Sequence, residues 1–343
     1  VISTVAPARL GRGALIGALA VLAAALTVAA VLGPSNIEIR QVALAALDRL
    51  PGLSFDPGLT TRQSDILWLV RLPRVALGAV VGGTLALCGA AYQGVFRNPL
   101  ADPYLLGVAA GAGLGATIAV VEGGGSTLFL PVAAFAGALL AVTLTYLLGR
   151  VAGGGSATTL ILSGVAVASF LTAAQTFVQQ RNDETIRQVY SWILGRLSTS
   201  GWSETLAILP YVAIAIVVIL SHRRLLDVMS VGDGEAATLG VDVRRVRLVV
   251  VGAATLGTAA VVAVSGLIGF VGIIVPHAVR MMFGVGHRVV LPLALIGGAA
   301  FLVLADVVAR TALAPAELPI GVVTAMFGAP FFAVVLRSRL VAR

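Results

Sequence analysis

The chain has 343 residues, 59% hydrophobic and only 11% charged, with a net charge of +8 in which every basic residue is arginine. Ordinary soluble domains carry about 25% charged residues, so a mean hydropathy of +1.03 excludes the soluble globular class. With no lysine there is no P-loop lysine, which excludes a Walker-type ATPase in this chain.

In chain order, apolar blocks fall at 13–33, 68–91, 104–121, 128–149, 159–178 and 204–220. Each has roughly the length that crosses about 30 Å of hydrocarbon. Between the first two, 34–67 is amphipathic and mixed in charge, and reads as a short extramembrane helix followed by a loop. Gly78/Gly82 and the ladder Gly107, Gly111, Gly115 have the four-residue spacing of close helix contacts, which lipid-embedded helices need because lipid supplies no hydrophobic drive between them. The one cysteine, Cys88, lies in an apolar span, so no intrachain disulfide is possible.

A polar island, 221–247, then holds five of the 23 arginines and four of the 15 acids. Inside it, Glu235-Ala236-Ala237-Thr238-Leu239-Gly240 reads as a short helix closed by a glycine. A charged helix this compact, hung between membrane spans, predicts a docking partner. The next apolar stretch, 246–283, would extend about 57 Å as one helix, far beyond the bilayer. Splitting it near Gly266 to Gly272 places 14 arginines inside and nine outside, in keeping with the positive-inside rule. Spans at 289–309 and 318–336 complete the count. The expected fold class is an all-α polytopic membrane protein of about ten spans. Residues 1–343 form a single transmembrane domain, with both termini cytoplasmic.

The sharpest local pattern is Arg97-Asn98-Pro99-Leu100-Ala101-Asp102-Pro103-Tyr104-Leu105-Leu106-Gly107. Its two prolines stop one helix and start another, with Asp102 placed as N-cap and Pro103 at the first helical position. A tight turn accounts for the prolines alone. Gly111 to Ala116 fits the dinucleotide fingerprint G-x-G-x-x-G/A, but no strand precedes it, so nucleotide binding is not expected there. His222, His277 and His287 lack metal-ligand spacing, and no nucleophile–base–acid set is visible. Asp306 is the candidate intramembrane acid for an ion-coupled secondary transporter, which stands as the rival reading.

The chain resembles the permease family of type II ABC importers, which take up iron(III)-siderophores, haem and cobalamin. Besides the 97–107 pattern, the resemblance rests on Arg71-Leu72-Pro73-Arg74, on Trp192-Ile193-Leu194-Gly195, on Gly269 to His277, and on Ala314 to Gly321. It implies a homodimer of ten-span subunits with the pathway on the dimer axis. Two ABC ATPase subunits would sit on the cytoplasmic side and one periplasmic or lipoprotein substrate-binding protein on the other, with the chain in a bacterial inner membrane. The chain itself would bind no cofactor, with ATP and magnesium on the partner ATPase, no metal ligands and no nucleic acid. Gly234, Glu235, Ala236, Ala237, Leu239 and Gly240 would couple to the ATPase. Type I permeases place three residues between EAA and glycine, and here only Thr238 and Leu239 intervene. Arg71, Arg74 and Arg310 would form a docking patch for the binding protein, with an i, i+4 pair from Arg310 to Asp306 as a compatible alternative. Asn98 and Leu100, with Ala157 and Thr158, would form the cytoplasmic gate, the second loop freed to move by Gly153, Gly154 and Gly155, with a flexible connector as an equal alternative for that loop. The implied cargo is an iron(III)-siderophore, with haem or cobalamin as alternatives.

Overall fold

The computed structural model describes residues 10–33, 37–49, 52, 54–122, 129–152, 156–198 and 201–341. Among them the regular secondary structure is helical, apart from one isolated bridge between Leu313 and Ala316. The first helices are α1 (Arg12–Val31), α2 (Ile39–Asp48), α3 (Thr61–Asp65), α4 (Leu72–Phe96), α5 (Val108–Glu122), α6 (Phe129–Val151) and α7 (Ala157–Gln180). They are followed by α8 (Ile186–Ile193), α9 (Ser203–Ser221), α10 (Arg223–Met229), α11 (Asp233–Thr238) and α12 (Val243–Ser265). The last three are α13 (Val271–Phe283), α14 (His287–Thr311) and α15 (Ile320–Val341). Among the described residues seven helical runs, with 61–96 counted as one, are long and apolar enough to cross a membrane, and three shorter apolar stretches, over 108–122, 271–283 and 320–333, bring the apolar elements to the expected ten.

The short helix expected within 34–67 forms as α2. Capping boxes at Glu38/Gln41 and Thr60/Gln63 satisfy the first N–H groups of α2 and α3. A six-residue π segment, Ile66–Arg71, joins α3 to α4 and buries the Arg71 side chain. The core is centred on α4, which is buried along almost its whole length against α12, α13 and α14. The glycine pattern predicted these approaches in part. A methyl at Gly82 would lie 2.3 Å from the Gly298 oxygen of α14, and one at Gly111 2.2 Å from the Gly137 oxygen of α6. Gly107 differs: it sits in the turn before α5 with φ +84°.

The stretch 246–283 divides within the expected window, with α12 ending at Ser265 and α13 starting at Val271. Gly266 turns the chain at φ +67°. Here the backbones of three elements touch: Arg196 N–H donates to Ser265 O (2.8 Å) and Gly321 N–H to Leu194 O (3.0 Å). A side chain on Gly266 would meet Trp192 O at 2.1 Å. The Trp192–Gly195 motif and the Pro319-Ile320-Gly321 motif therefore meet at a junction where backbone packs on backbone.

One expectation is corrected. Asp102 is not the N-cap of a helix beginning at Pro103. Its carboxylate accepts from Tyr104 N–H (2.7 Å) in a local turn, and regular helix starts at Val108. At 1.5 Å per residue, α5 and α13 extend only about 20 Å, short of the hydrocarbon thickness. Each follows an irregular segment, 97–107 or 266–270, and the two segments pack together. The Tyr104 hydroxyl donates to Ile268 O (3.0 Å) and accepts from Ile268 N–H (3.0 Å). The buried Gln93 amide donates to Ala101 O (3.2 Å) and Gly272 O (3.1 Å), while its oxygen accepts from Arg280. Irregular backbone at membrane depth survives only when protein satisfies its polar groups, and Gln93 and Tyr104 do this here.

Candidate functional site

The sequence-predicted residues gather at two opposite ends of the bundle. At the first, Arg71, Arg74 and Arg310 converge, but all three guanidinium groups are largely withdrawn from solvent. Arg71, 4% exposed, donates to Ala30 O (3.0 Å) and Val31 O (2.9 Å), and the buried Arg310 donates to Ala29 O. Both guanidinium groups thus satisfy the last carbonyls of α1, the end of a helix that favours cations. Arg310 also lies 3.5 Å from Asp306, the expected i, i+4 pair. Arg74 grips Asp306 along one edge (2.8 Å) and Glu317 along the other, with bonds of 2.8 and 3.0 Å. Beside it opens a cavity of about 230 Å³ lined by Arg74, Arg196, Ser191, Ser198 and Glu317. Arg196 is exposed there, and no acid among the described residues pairs with it. The sequence offered no signal for Arg196 beyond its place after the Trp192–Gly195 motif.

At the other end, α11 forms where the sequence predicts it, one residue pair earlier at its start. Its C-terminus closes with Gly240 at φ +81°, Gly240 N–H on Ala237 O (2.9 Å) and Val241 N–H on Ala236 O (3.1 Å). This double bond pattern needs the left-handed conformation that glycine adopts without strain. Ala236 is fully buried and anchors the helix, while Gly234, Glu235, Ala237, Leu239 and Gly240 are exposed. Leu239 is 69% and Val231 61% exposed, so the outer face offers apolar contacts beside a carboxylate.

Two acids of the island, Asp242 and Asp227, unassigned by sequence reasoning, help hold this end together. Asp242 caps α12 by accepting from Arg245 N–H (3.0 Å). Asp227 accepts from His287 N–H (2.6 Å) and lies 3.0 Å from His287 Nδ1 and 3.5 Å from Arg288, serving as a cap for α14 supplied by α10. Partial burial pushes the Asp227 carboxyl up, but its hydrogen bonds to His287 and the charges of His287 and Arg288 outweigh this and hold it below the usual carboxylate range. A depressed carboxylate contributes stability that is present above its unfolded pKa and is lost as pH falls through the folded one. Asp227→Asn is accordingly expected to cost about 1–3 kcal/mol at neutral pH, and its stability should change less than that of the unmutated chain on acidification below about pH 4. Melting curves from pH 3 to pH 7 check this.

The residues expected to form the gate lie at the same end. Asn98 accepts from Leu100 N–H (2.9 Å), and Leu100 is 60% exposed. Ala157 and Thr158 form the first turn of α7 behind the N-cap Ser156, whose hydroxyl accepts from Thr159 N–H (3.2 Å). A small cavity lined by Arg150, Leu160, Arg244 and Arg247 joins that turn to the start of α12. Gly153, Gly154 and Gly155 lie outside the described residues.

A family model described as the FecCD transport family matches residues 15–338. The chain belongs to the FecCD transport family. It is 41% identical to the cobalamin import system permease protein BtuC of Halobacterium salinarum, over 93% of this chain and 94% of that one. It is 40% identical to the hemin transport system permease protein HmuU of Yersinia pestis, over 84% and 89% of the two chains. A solved structure described as an inward-facing conformation of a metal-chelate type ABC transporter superposes with a TM-score of 0.84 at 30% identity. That match covers 96% of this chain and 100% of the other. This FecCD member is thus a multi-pass permease subunit of an ABC importer for iron chelate, haem or cobalamin, a transport subunit rather than an enzyme. Membership implies an ATPase and a binding protein as partners.

Proposed function

We propose that two copies of this permease enclose a path for a large metal chelate, an iron(III)-siderophore in the first reading, in a bacterial inner membrane with both termini cytoplasmic. The observation that carries the transport reading is the exposed, glycine-closed α11 with its apolar and acidic outer face. An ATPase subunit docks there through Gly234, Glu235, Ala237, Leu239 and Gly240, with the buried Ala236 holding the helix in place. Asn98 and Leu100, with Ala157 and Thr158, narrow the path at that end. An open-sided cavity of about 460 Å³ between α5, α7 and α8, lined in part by Thr172, Gln175, Gln179 and Tyr190, supplies one wall of the path. ATP binding draws the ATPases together, displaces α11 and alternates access to this cavity. The relative named for cobalamin import, alike across nearly the whole chain, favours a corrinoid as second reading of the cargo.

The opposite end, where Arg71, Arg74 and Arg310 converge, receives the binding protein. Arg71 and Arg310 shape the patch by fixing α1, Arg74 holds Glu317 at its edge, and the exposed Arg196 faces the partner. Charges on such a rim set register and speed of encounter more than final affinity. Arg196→Glu is therefore expected to slow association of the binding protein about tenfold at low salt, with the ATPase still bound. Unchanged association in surface plasmon resonance would remove this end as the docking site.

A further inference from the structure

Three elements at the α11 end meet at one carboxylate. Asp233, the first residue of α11, lies 2.8 Å from an Arg247 guanidinium nitrogen on α12 and 3.4 Å from one of Arg97 at the end of α4. Arg97 is in an unusual place. It closes α4 in the left-handed conformation (φ 50°, ψ 36°) where glycine is the usual residue. Its own N–H donates to Gly94 O (3.4 Å), and the Asn98 N–H donates to Gln93 O (3.2 Å). The side chain is thus aimed by a closed turn rather than by a loose loop. The next residue is Asn98, whose carbonyl accepts from Ala101 N–H (3.0 Å) and whose side chain accepts from Leu100 N–H. A displacement of Arg97 therefore reaches the 98–101 turn through covalent bonds and two hydrogen bonds.

Arg247 and Arg97 differ in a way that assigns them different parts. The Arg247 side chain is 10% exposed and sits in the wall of the bundle, whereas the Arg97 and Asp233 side chains are 44% and 43% exposed. The 2.8 Å contact is a fixed hinge for α11, whereas Arg97 reaches Asp233 Oδ1, an oxygen shielded from solvent with no hydrogen-bond partner among the described residues, so separating the pair leaves that oxygen unpaired and the two elements move together.

We infer that Asp233 is a positioning residue for transport, carrying displacement of α11 to the Asn98–Leu100 turn through Arg97. This rests on α11 being the ATPase-facing element. A merely structural role would lower stability and leave transport stoichiometry alone.

The test uses the full importer, permease with its ATPase and binding protein, in proteoliposomes, following chelate uptake and ATP hydrolysis together. Arg97→Gln, Asp233→Asn and the double variant are compared with the unmutated permease. Each single variant should retain the ATPase and its hydrolysis rate, and should lower uptake per ATP by about threefold to tenfold, the size of effect seen along coupled networks. The double variant should fall no further than the worse single one, as residues acting through one contact require. Unchanged uptake per ATP in Arg97→Gln, or losses that multiply in the double variant, would overturn the link. Loss of ATPase binding in Asp233→Asn alone would also overturn it, assigning Asp233 to docking instead. If the unmutated permease itself retains no ATPase, the α11 reading fails, an outcome distinct from failure of the link.

Discussion

Asp306→Asn is expected to destabilise the permease by about 3–5 kcal/mol, the cost of breaking a buried ion pair from one side. Asp306 is 2% exposed and lies between Arg74 and Arg310, which are themselves largely withdrawn from solvent. Removing its charge leaves two guanidinium groups facing each other across the gap. Arg310 also holds the end of α1 through Ala29 O, so the loss should spread to the packing of α1 on α14 through Ala25, Ala29, Ala300 and Val303. Glu317→Gln is the matched control. Glu317 binds the other edge of Arg74 but its side chain is 49% exposed, and removal of so solvated a partner should cost about 1 kcal/mol or less. Thermal unfolding in nanodiscs separates the two. Equal midpoints for both variants would mean that Asp306 does not organise this end.

Gly266→Val should be at least as damaging. The backbone there has φ +67° and ψ −161°, a region in which residues other than glycine cost about 1–3 kcal/mol. A side chain would also press on Trp192 O at 2.1 Å and the Gly195 Cα at 3.2 Å, atoms that cannot rotate away. Overpacking of this kind adds about 1–3 kcal/mol. The expected result is a protein that fails to accumulate in membranes, with Gly266→Ala accumulating poorly. Gly269→Ala serves as control, because nothing lies within 4 Å of a methyl there. Equal accumulation of the Gly266 and Gly269 variants would contradict the close backbone junction.

Much of the fold was legible because membrane helices are written in long apolar runs. Even the break between α12 and α13 followed from length and arginine placement. The closure of α11 was legible too, since a glycine after a short helical run has one common use. The half-length of α5 and α13 was not. Apolar residues in 104–107 look the same whether they continue a helix or line an enclosed turn, and only the tertiary partners Gln93 and Tyr104 decide it. Nor did the sequence distinguish arginines that face solvent from those that cap α1. Arg71 and Arg74 lie three residues apart in one motif, but the π segment turns Arg71 toward α1 while Arg74 meets two acids from distant parts of the chain. Asp227, Asp233 and Asp242 of the island were visible as composition only, and their separate duties emerge from contacts with Arg245, Arg247, His287 and Arg97 that only the fold brings into place.

The most direct measurement is uptake in proteoliposomes holding the permease, its ATPase and its binding protein, with ferric siderophore, haem and cobalamin offered in turn. ATP-dependent accumulation of one chelate, lost when α11 is disrupted by Gly240→Val, is the predicted result. Accumulation driven by an imposed ion gradient, without ATP and with no ATPase retained by the permease, would contradict it.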